Sequence, residues 1–460
     1  MSSKKPPFDP DALFQKGLSL HHIGRLSEAE VTYKKLLSFF PNQPEVLTTL
    51  GILSLQQGRQ EEGIKQLKRS LNISPKQPMA MYNLGLELQK LTRLEEALVC
   101  YDQAITLNPN DVVTHLNRGN VLKDLKRGDE ALASYNRAIA LKPDFAAAYW
   151  NKSLLEILTG KYEEGWQLYE WGWKCSERGA ARNFTQPRWL GEQSIAGKTL
   201  LIHTEQGLGD AIQFCRYAPM VESLGAKVVL EVPASLVALL STLKGNFTIV
   251  EKGKDLPDFD MVCPIMSLPL ALKTTVETIP ATVPYLYVNQ DKQVEWHQRL
   301  GNKTKPRVGL VWSGSLTNKI DLNPCCKRNI PLEQLQPLFR LPIEFHALQK
   351  EVGPEDAAVL SKLTQIHQHQ VELKDFSDTA ALVHEMDLVI STCTSVAHLG
   401  GAMGQSTWVL LPFSPDYRWM LDRTDSPWYP TVTLIRQPEI GNWSSVISEV
   451  AQRLKAMFLT

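Results

Sequence analysis

Prolines at positions 41, 75, 109 and 143 recur every 34 residues without a slip, and this register constrains the N-terminal part of the chain more than any other feature. A small residue recurs in the same phase, as Gly17, Gly51, Gly85, Gly119 and Ser153, and a second recurs as Ala29, Gly63, Ala97, Ala131 and Gly165. Tyr33, Leu67, Tyr101, Tyr135 and Tyr169 complete the pattern. Small side chains let two antiparallel helices approach closely, the larger residue fills the groove between them, and the proline ends the second helix. Such a pair cannot bury its apolar face alone, so the units must stack.

Leu84-Gly85, Glu96-Ala97, Tyr101, Ala104 and Pro109 resemble the tetratricopeptide consensus, as do Gly119, Ala131, Tyr135, Ala138 and Pro143. The resemblance covers residues 10–179 in about five units after a loose N-terminus of residues 1–9. It implies an α solenoid that binds a protein or peptide. The fifth unit decays after Gly165 into Trp166, Trp171 and Trp173, with no proline in register. On one helix these tryptophans make either a ligand-stacking surface or a weld to the next domain, joined by Trp189 across a junction at 180–195.

From Lys198 the pattern changes to short aliphatic runs alternating with helical stretches, which predicts parallel sheets with crossover helices. Strands are expected at Thr199–His203, Lys227–Val232, Thr248–Val250 and Asp260–Cys263, with a helix over Asp210–Leu224. A second series runs through Pro306–Trp312, Ile343–Leu348, Leu388–Ser391 and Thr407–Leu411. The reading is two Rossmann-like lobes, 196–290 and 306–460, joined by a linker at 291–305.

In such sheets ligands bind beyond the carboxyl ends of the strands. Three loops there carry polar chemistry. In His203-Thr-Glu-Gln-Gly-Leu-Gly-Asp210, Gly207 and Gly209 allow a close backbone approach, and Asp210 stands at a helix start, where it also serves as an ordinary cap. No dinucleotide fingerprint or P-loop is present there. In Ser391-Thr-Cys393-Thr394-Ser395-Val-Ala-His398, a helix N-terminus with two hydroxyls suits a diphosphate, while His398 is equally a core histidine. Trp312-Ser313-Gly-Ser315 through Lys319 to Arg328 supplies cations near the same edge, or is a solvated basic loop.

Lys and Arg number 49 and Asp and Glu number 49, so the chain lacks the positive field that nonspecific nucleic-acid binding needs. Met1–Pro7 is followed by no apolar run, and no stretch is apolar enough to span a bilayer. Seven scattered cysteines without a Cys-x-x-Cys pair fit a reducing compartment. The expectation is a cytoplasmic chain without a membrane span. Cys325 and Cys326 lie adjacent with no completing His or Cys cluster, which favours free thiols over a metal or redox pair.

Together the three loops resemble heptosyltransferase-like glycosyltransferases of the GT-B fold over about residues 196–440. The repeat-plus-transferase order resembles bacterial relatives of protein O-linked N-acetylglucosamine transferase. The most specific pieces are Gly207–Asp210, Thr394–His398 with Gly401–Gly404, Leu411–Trp419 and Asp425–Tyr429. The resemblance implies inverting, metal-independent transfer from a nucleotide-sugar donor, without a cofactor, to a protein or glycan acceptor recruited by the repeats. Asp210 would be the general base. Gly207, Gly209, Ser313, Ser315, Lys319, Arg328, Cys393, Thr394, Ser395 and His398 would surround the donor. One departure stands out: the family commonly has aspartate where this chain has Cys393, and a thiol cannot accept hydrogen bonds as a carboxylate does. The alternative implied is a noncatalytic tetratricopeptide adaptor with a degenerate transferase-like domain.

Overall fold

The computed structural model describes residues 7–314 and 326–459, which fall into two compact units meeting in sequence between Ala148 and Tyr149. The first unit contains four helical hairpins: α1 (Pro10–His22) with α2 (Leu26–Phe39), α3 (Pro44–Gln56) with α4 (Gln60–Ile73), α5 (Pro78–Lys90) with α6 (Leu94–Leu107), and α7 (Val112–Asp124) with α8 (Gly128–Leu141). Each second helix stops two residues before its proline. The small-residue rule is literal. A Cβ added at Gly17 would lie 2.5 Å from the Tyr33 ring, and at Gly119 it would lie 2.5 Å from the Tyr135 ring. Both tyrosines are fully buried.

The hairpin turns share one device. A residue in the left-handed region reverses the chain, as Gly24 (φ 77°), Gly58 (φ 77°), Thr92 (φ 59°) and Lys126 (φ 60°). The arginine next in sequence, Arg25, Arg59, Arg93 or Arg127, then pairs with the glutamate three residues on at 2.6–2.7 Å. These pairs are largely solvent-exposed, so they set the entry of the second helix and add little stability.

The second unit takes up most of α9 (Ala146–Leu158), then α10 (Tyr162–Tyr169) and a 3-10 turn at Glu170–Trp173. Its first sheet comprises β1 (Thr199–His203), β2 (Lys227–Val232), β3 (Phe247–Glu251) and β4 (Met261–Pro264), in the order β3-β2-β1-β4. The helices here are α11 (Leu208–Phe214), α12 (Ala218–Ser223), α13 (Ala234–Leu240) and α14 (Leu268–Ala271). After α15 (Gln290–Leu300) comes a second sheet: β5 (Arg307–Val311), β6 (Glu344–Ala347), β7 (Ile366–Gln368), β8 (Leu388–Thr392), β9 (Thr407–Leu411) and β10 (Val432–Arg436), in the order β10-β9-β8-β5-β6-β7. The helices of this half are α16 (Pro354–Leu360), α17 (Phe376–His384), α18 (Ser395–Ala402) and α19 (Trp443–Phe458). Every strand pair is parallel, and β5, β8 and β9 are buried along their whole length, as continuous aliphatic runs require.

Two sequence expectations are corrected. The helix expected over Asp210–Leu224 is broken: α11 starts two residues earlier and gives way to a 3-10 turn at Cys215–Tyr217 before α12, where Pro219 cannot donate the backbone bond that a continuous helix needs. The tryptophans do not share one helix. Trp166 lies on α10, whereas Trp171 and Trp173 lie in the 3-10 turn after it. Trp166 is buried edge-on to Phe214 and Tyr417, Trp171 stacks on Tyr149 at 4.0 Å, and Trp173 lies beneath the Arg178 and Arg188 guanidinium groups. Trp189 is buried as well, and its backbone joins the first sheet through the Val262 carbonyl.

Candidate functional site

The strand orders place two reversals of direction in the second unit, one between β1 and β4 and the other between β5 and β8. At such a reversal the carboxyl ends of neighbouring parallel strands, here β5 and β8, are where a doubly wound sheet binds its ligands. Ser313 and Gly314 follow β5, and Cys393, Thr394 and Ser395 follow β8. The loop leaving β1 carries Gly207, Gly209 and Asp210, and α11 packs against α18, so that loop meets the β8 loop.

The tightest point of that meeting is Gly209. A Cβ there would lie 2.9 Å from His398 Cδ2 and 3.4 Å from the Ser395 Cα. Neither loop glycine has left-handed backbone: Gly207 is extended, at φ −77° and ψ 169°. The need for glycine at 209 is therefore the closeness of α18, not a turn. Asp210 is not the cap residue either. Gly207 occupies that position, and the Asp210 carboxylate, in the third helical position, accepts the Gly207 N–H through Oδ2 at 2.7 Å. Its other oxygen, Oδ1, is ion-paired with Arg418 Nη2, and Arg418 Nη1 also holds both oxygens of Asp416 at 2.9 Å. Arg418 is 7% exposed.

The β8 loop is held from several sides. Cys393 is buried, which pushes its thiol up to about 11, and its Sγ accepts the Trp419 indole N–H at 3.0 Å. Its backbone carbonyl accepts Arg328 Nη1 at 2.7 Å. Arg328 lies so close to Gly314 that a Cβ there would be 2.7 Å from Nη2. Thr394 is the N-cap of α18, but its hydroxyl is engaged with Ser391 Oγ at 3.0 Å instead of capping the helix. Ser395 is half-buried at the first helical position. His398 is buried, stacked on Trp419 at 5.3 Å and bonded through Nδ1 to the Tyr429 hydroxyl at 3.0 Å. Burial, then the positive charges of Arg418, Arg216 and Arg328, hold it well below the usual histidine range, so it is neutral.

On the β5 side, the Gln349 side chain clamps the strand end. Its Oε1 accepts the Trp312 and Ser313 N–H groups at 3.2 Å, and its Nε2 donates to the Ser313 carbonyl at 3.0 Å. Asn329 accepts the Gly314 N–H at 2.8 Å. Ser313 Oγ is buried with no partner among the described residues. Ser315, Lys319 and Cys325 lie outside the described residues.

Gly207, Gly209, Asp210, Ser313, Arg328, Cys393, Thr394, Ser395 and His398 therefore lie close together near the carboxyl ends of β1, β5 and β8. The sequence left three participants without a role. Arg418 and Trp419 fall in a segment that carries the resemblance, but nothing local marks Arg418 as the partner of a residue 208 positions away. Arg216 is buried, donates to the Trp428 and Pro280 carbonyls at 2.7 and 3.1 Å, and lies over the Tyr285 and Tyr429 rings. No charge pattern in its neighbourhood announces it.

Comparison with known proteins identifies tetratricopeptide repeats in the N-terminal region, with family descriptions matching residues 11–42, 78–111 and 119–154. Protein FlbA of Caulobacter vibrioides is 28% identical over 331 residues, which cover 66% of this chain and 54% of FlbA. The chain thus spans about half the length of that curated relative. Among solved structures, MamA is 25% identical with a TM-score of 0.33, covering 35% of this chain and 95% of MamA. YrrB, a tetratricopeptide protein with an unusual peptide-binding site, is 20% identical with a TM-score of 0.34, covering 37% of this chain and 87% of YrrB. No helix among the described residues is long and apolar enough to cross a membrane.

Proposed function

We propose that the second unit transfers a sugar from a nucleotide-sugar donor to a hydroxyl of a protein or glycan, with the repeats recruiting the acceptor. The observation that carries this reading is the closeness of the Asp210 loop to the N-terminal end of α18, with Gly209 lying against Ser395 and His398. A carboxylate then stands beside backbone N–H groups able to hold a diphosphate.

In this reading the donor diphosphate lies on the N-terminal turn of α18 at Thr394 and Ser395, with Arg328 and the Ser313 hydroxyl completing its surroundings. Asp210 accepts the proton of the acceptor hydroxyl. The acceptor oxygen bonds to the anomeric carbon from the face opposite the diphosphate. The carbon–oxygen bond to the β-phosphate breaks, and its electron pair leaves with the nucleoside diphosphate. Inversion results from that single displacement, and helix N–H groups with guanidinium groups supply the charge compensation. Neutral His398, fixed by Tyr429 and Trp419, offers a hydrogen bond without adding charge.

A second reading, a noncatalytic adaptor that retains a nucleotide-binding crevice, is favoured by two observations. The Cys393 thiol is committed to Trp419, and the Asp210 carboxylate is paired with Arg418. Thermal unfolding against a panel of UDP, GDP, ADP and dTDP compounds and their sugars tests the donor site common to both, since a ligand at a hundred times its Kd stabilises by about 2.7 kcal/mol. Both readings predict a shift with one nucleotide class, and no shift with any compound sinks both.

A further inference from the structure

We propose that Arg418 is a positioning residue that masks Asp210 in the ligand-free protein and transfers to the ligand's diphosphate when that binds, releasing the carboxylate. The inference rests on the nucleotide-sugar reading and adds the order of events at its site.

Both oxygens of Asp210 are occupied, Oδ2 by the Gly207 N–H and Oδ1 by the Arg418 guanidinium. An acceptor hydroxyl approaching either oxygen meets a partner already in place, and breaking a nearly buried ion pair is costly. As arranged, Asp210 is masked. Arg418, however, is not held by Asp210 alone. Its Nη1 is bound to both oxygens of Asp416, two residues away on the same loop, so losing Asp210 leaves the guanidinium still paired with one carboxylate. Its Nε–H is buried with no partner among the described residues, so donor capacity remains unused. The side chain can exchange one anion for another without being stranded.

The replacement anion would arrive close by. Trp419, the next residue, stacks on His398 and donates to Cys393, so the Arg418 backbone is tied to the head of the β8 loop. Arg328 reaches the same loop from the β5 side. A diphosphate seated on the first turn of α18 would lie between these two arginines and compete with Asp210 for one of them. A diphosphate carries more charge than a carboxylate and accepts bidentate guanidinium bonds, so the exchange is downhill once the ligand is in place.

Isothermal titration of UDP, GDP, ADP, dTDP and inorganic pyrophosphate into the full chain tests this with four proteins: wild type, Asp210→Asn, Arg418→Ala and the double variant. Asparagine keeps the shape of Asp210 and can still accept the Gly207 N–H. If Arg418 must leave Asp210 to bind the ligand, Asp210→Asn tightens diphosphate binding by about tenfold, the equivalent of one broken interaction near 1.4 kcal/mol. Arg418→Ala weakens binding, and in its background Asp210→Asn has no further effect. Affinity for the uncharged nucleoside stays level between wild type and Asp210→Asn. Arg418→Lys, which keeps the charge, retains part of the tightening should the alanine variant fold poorly. Unchanged or weaker diphosphate binding in Asp210→Asn, or tightening that persists without Arg418, overturns the exchange while leaving the nucleotide site intact. Failure of wild type to bind any of these compounds overturns both.

Discussion

Gly209 lies within van der Waals reach of His398, close enough that a methyl group at position 209 would stand 2.9 Å from the imidazole Cδ2. This contact joins the loop after β1 to the helix after β8. His398 cannot retreat, because Tyr429 holds its Nδ1 and Trp419 covers its face. Gly209→Ala must therefore push α11 away from α18. We expect the variant to fold with a loss of about 1–3 kcal/mol, typical of overpacking, and to lose most of its nucleotide-dependent thermal shift. A variant that keeps the full shift would show that the α11–α18 spacing does not shape the site.

In the first unit the same argument applies to structure alone. A Cβ at Gly119 meets the Tyr135 ring at 2.5 Å, and that ring is fully buried with its hydroxyl bonded to Asn120. Gly119→Ala should destabilise the repeats by about 1–3 kcal/mol, read as a lower denaturant midpoint. Adding Tyr135→Leu should recover part of the loss, because the shorter branched side chain yields the space. No recovery would mean that the tyrosine is not what excludes the methyl group.

The hairpin turns predict a gain. Thr92 and Lys126 hold left-handed backbone where the first two turns use glycine, and Thr92 carries a β-branch there. Thr92→Gly removes strain of about 1–2 kcal/mol against a glycine entropy cost of about 0.5–1 kcal/mol, so a net gain is expected. Chemical denaturation reads it directly. A lower midpoint would show that the Thr92 hydroxyl, which donates to the Leu91 carbonyl, outweighs the strain.

Acid should weaken the second unit. Burial pushes His203 and His346 down to about 3 and His369 down to about 4, with Arg182 the leading charge beside His203 and His369 the leading charge beside His346. An unfolded histidine titrates near 6.5, so below that pH the unfolded chain binds more protons and stability falls, continuing until the folded values are reached. At pH 5 each of these groups has withdrawn about 2 kcal/mol. Denaturant midpoints between pH 7 and pH 5 should drop, and His346→Gln, which removes the middle ring of the stack with His367 and His369, should flatten that drop. An equal slope in the variant would contradict the assignment.

Local repetition made the solenoid readable in advance. Gly17, Gly119, Tyr33 and Tyr135 are identical solutions to one packing problem, and repetition shows which residues the problem fixes. The parallel sheets were readable because β5, β8 and β9 are buried on both faces and so must be aliphatic throughout. The position of Ser313 and Cys393 just past the ends of β5 and β8 was readable because each follows an aliphatic run that ends in small polar residues. What escaped is pairwise and distant. Arg418 meets Asp210, Trp419 meets Cys393 and Arg216 meets Trp428 only after the chain folds, and each looks unremarkable among its sequence neighbours. The break between α11 and α12 escaped because Pro219, tolerated in a first helical turn, is compatible with either a continuous or a broken helix until the 3-10 turn before it is seen.

Whether Asp210 activates an acceptor hydroxyl in a nucleotide-sugar transferase is decided by following nucleoside diphosphate release from a panel of nucleotide sugars, with a mixture of proteome-derived peptides as acceptor. Wild type should give acceptor-dependent release from at least one donor, and Asp210→Asn should lose about 10²–10⁴-fold while still binding the nucleoside diphosphate. Binding without release by the wild type, or undiminished release by Asp210→Asn, rules that role out.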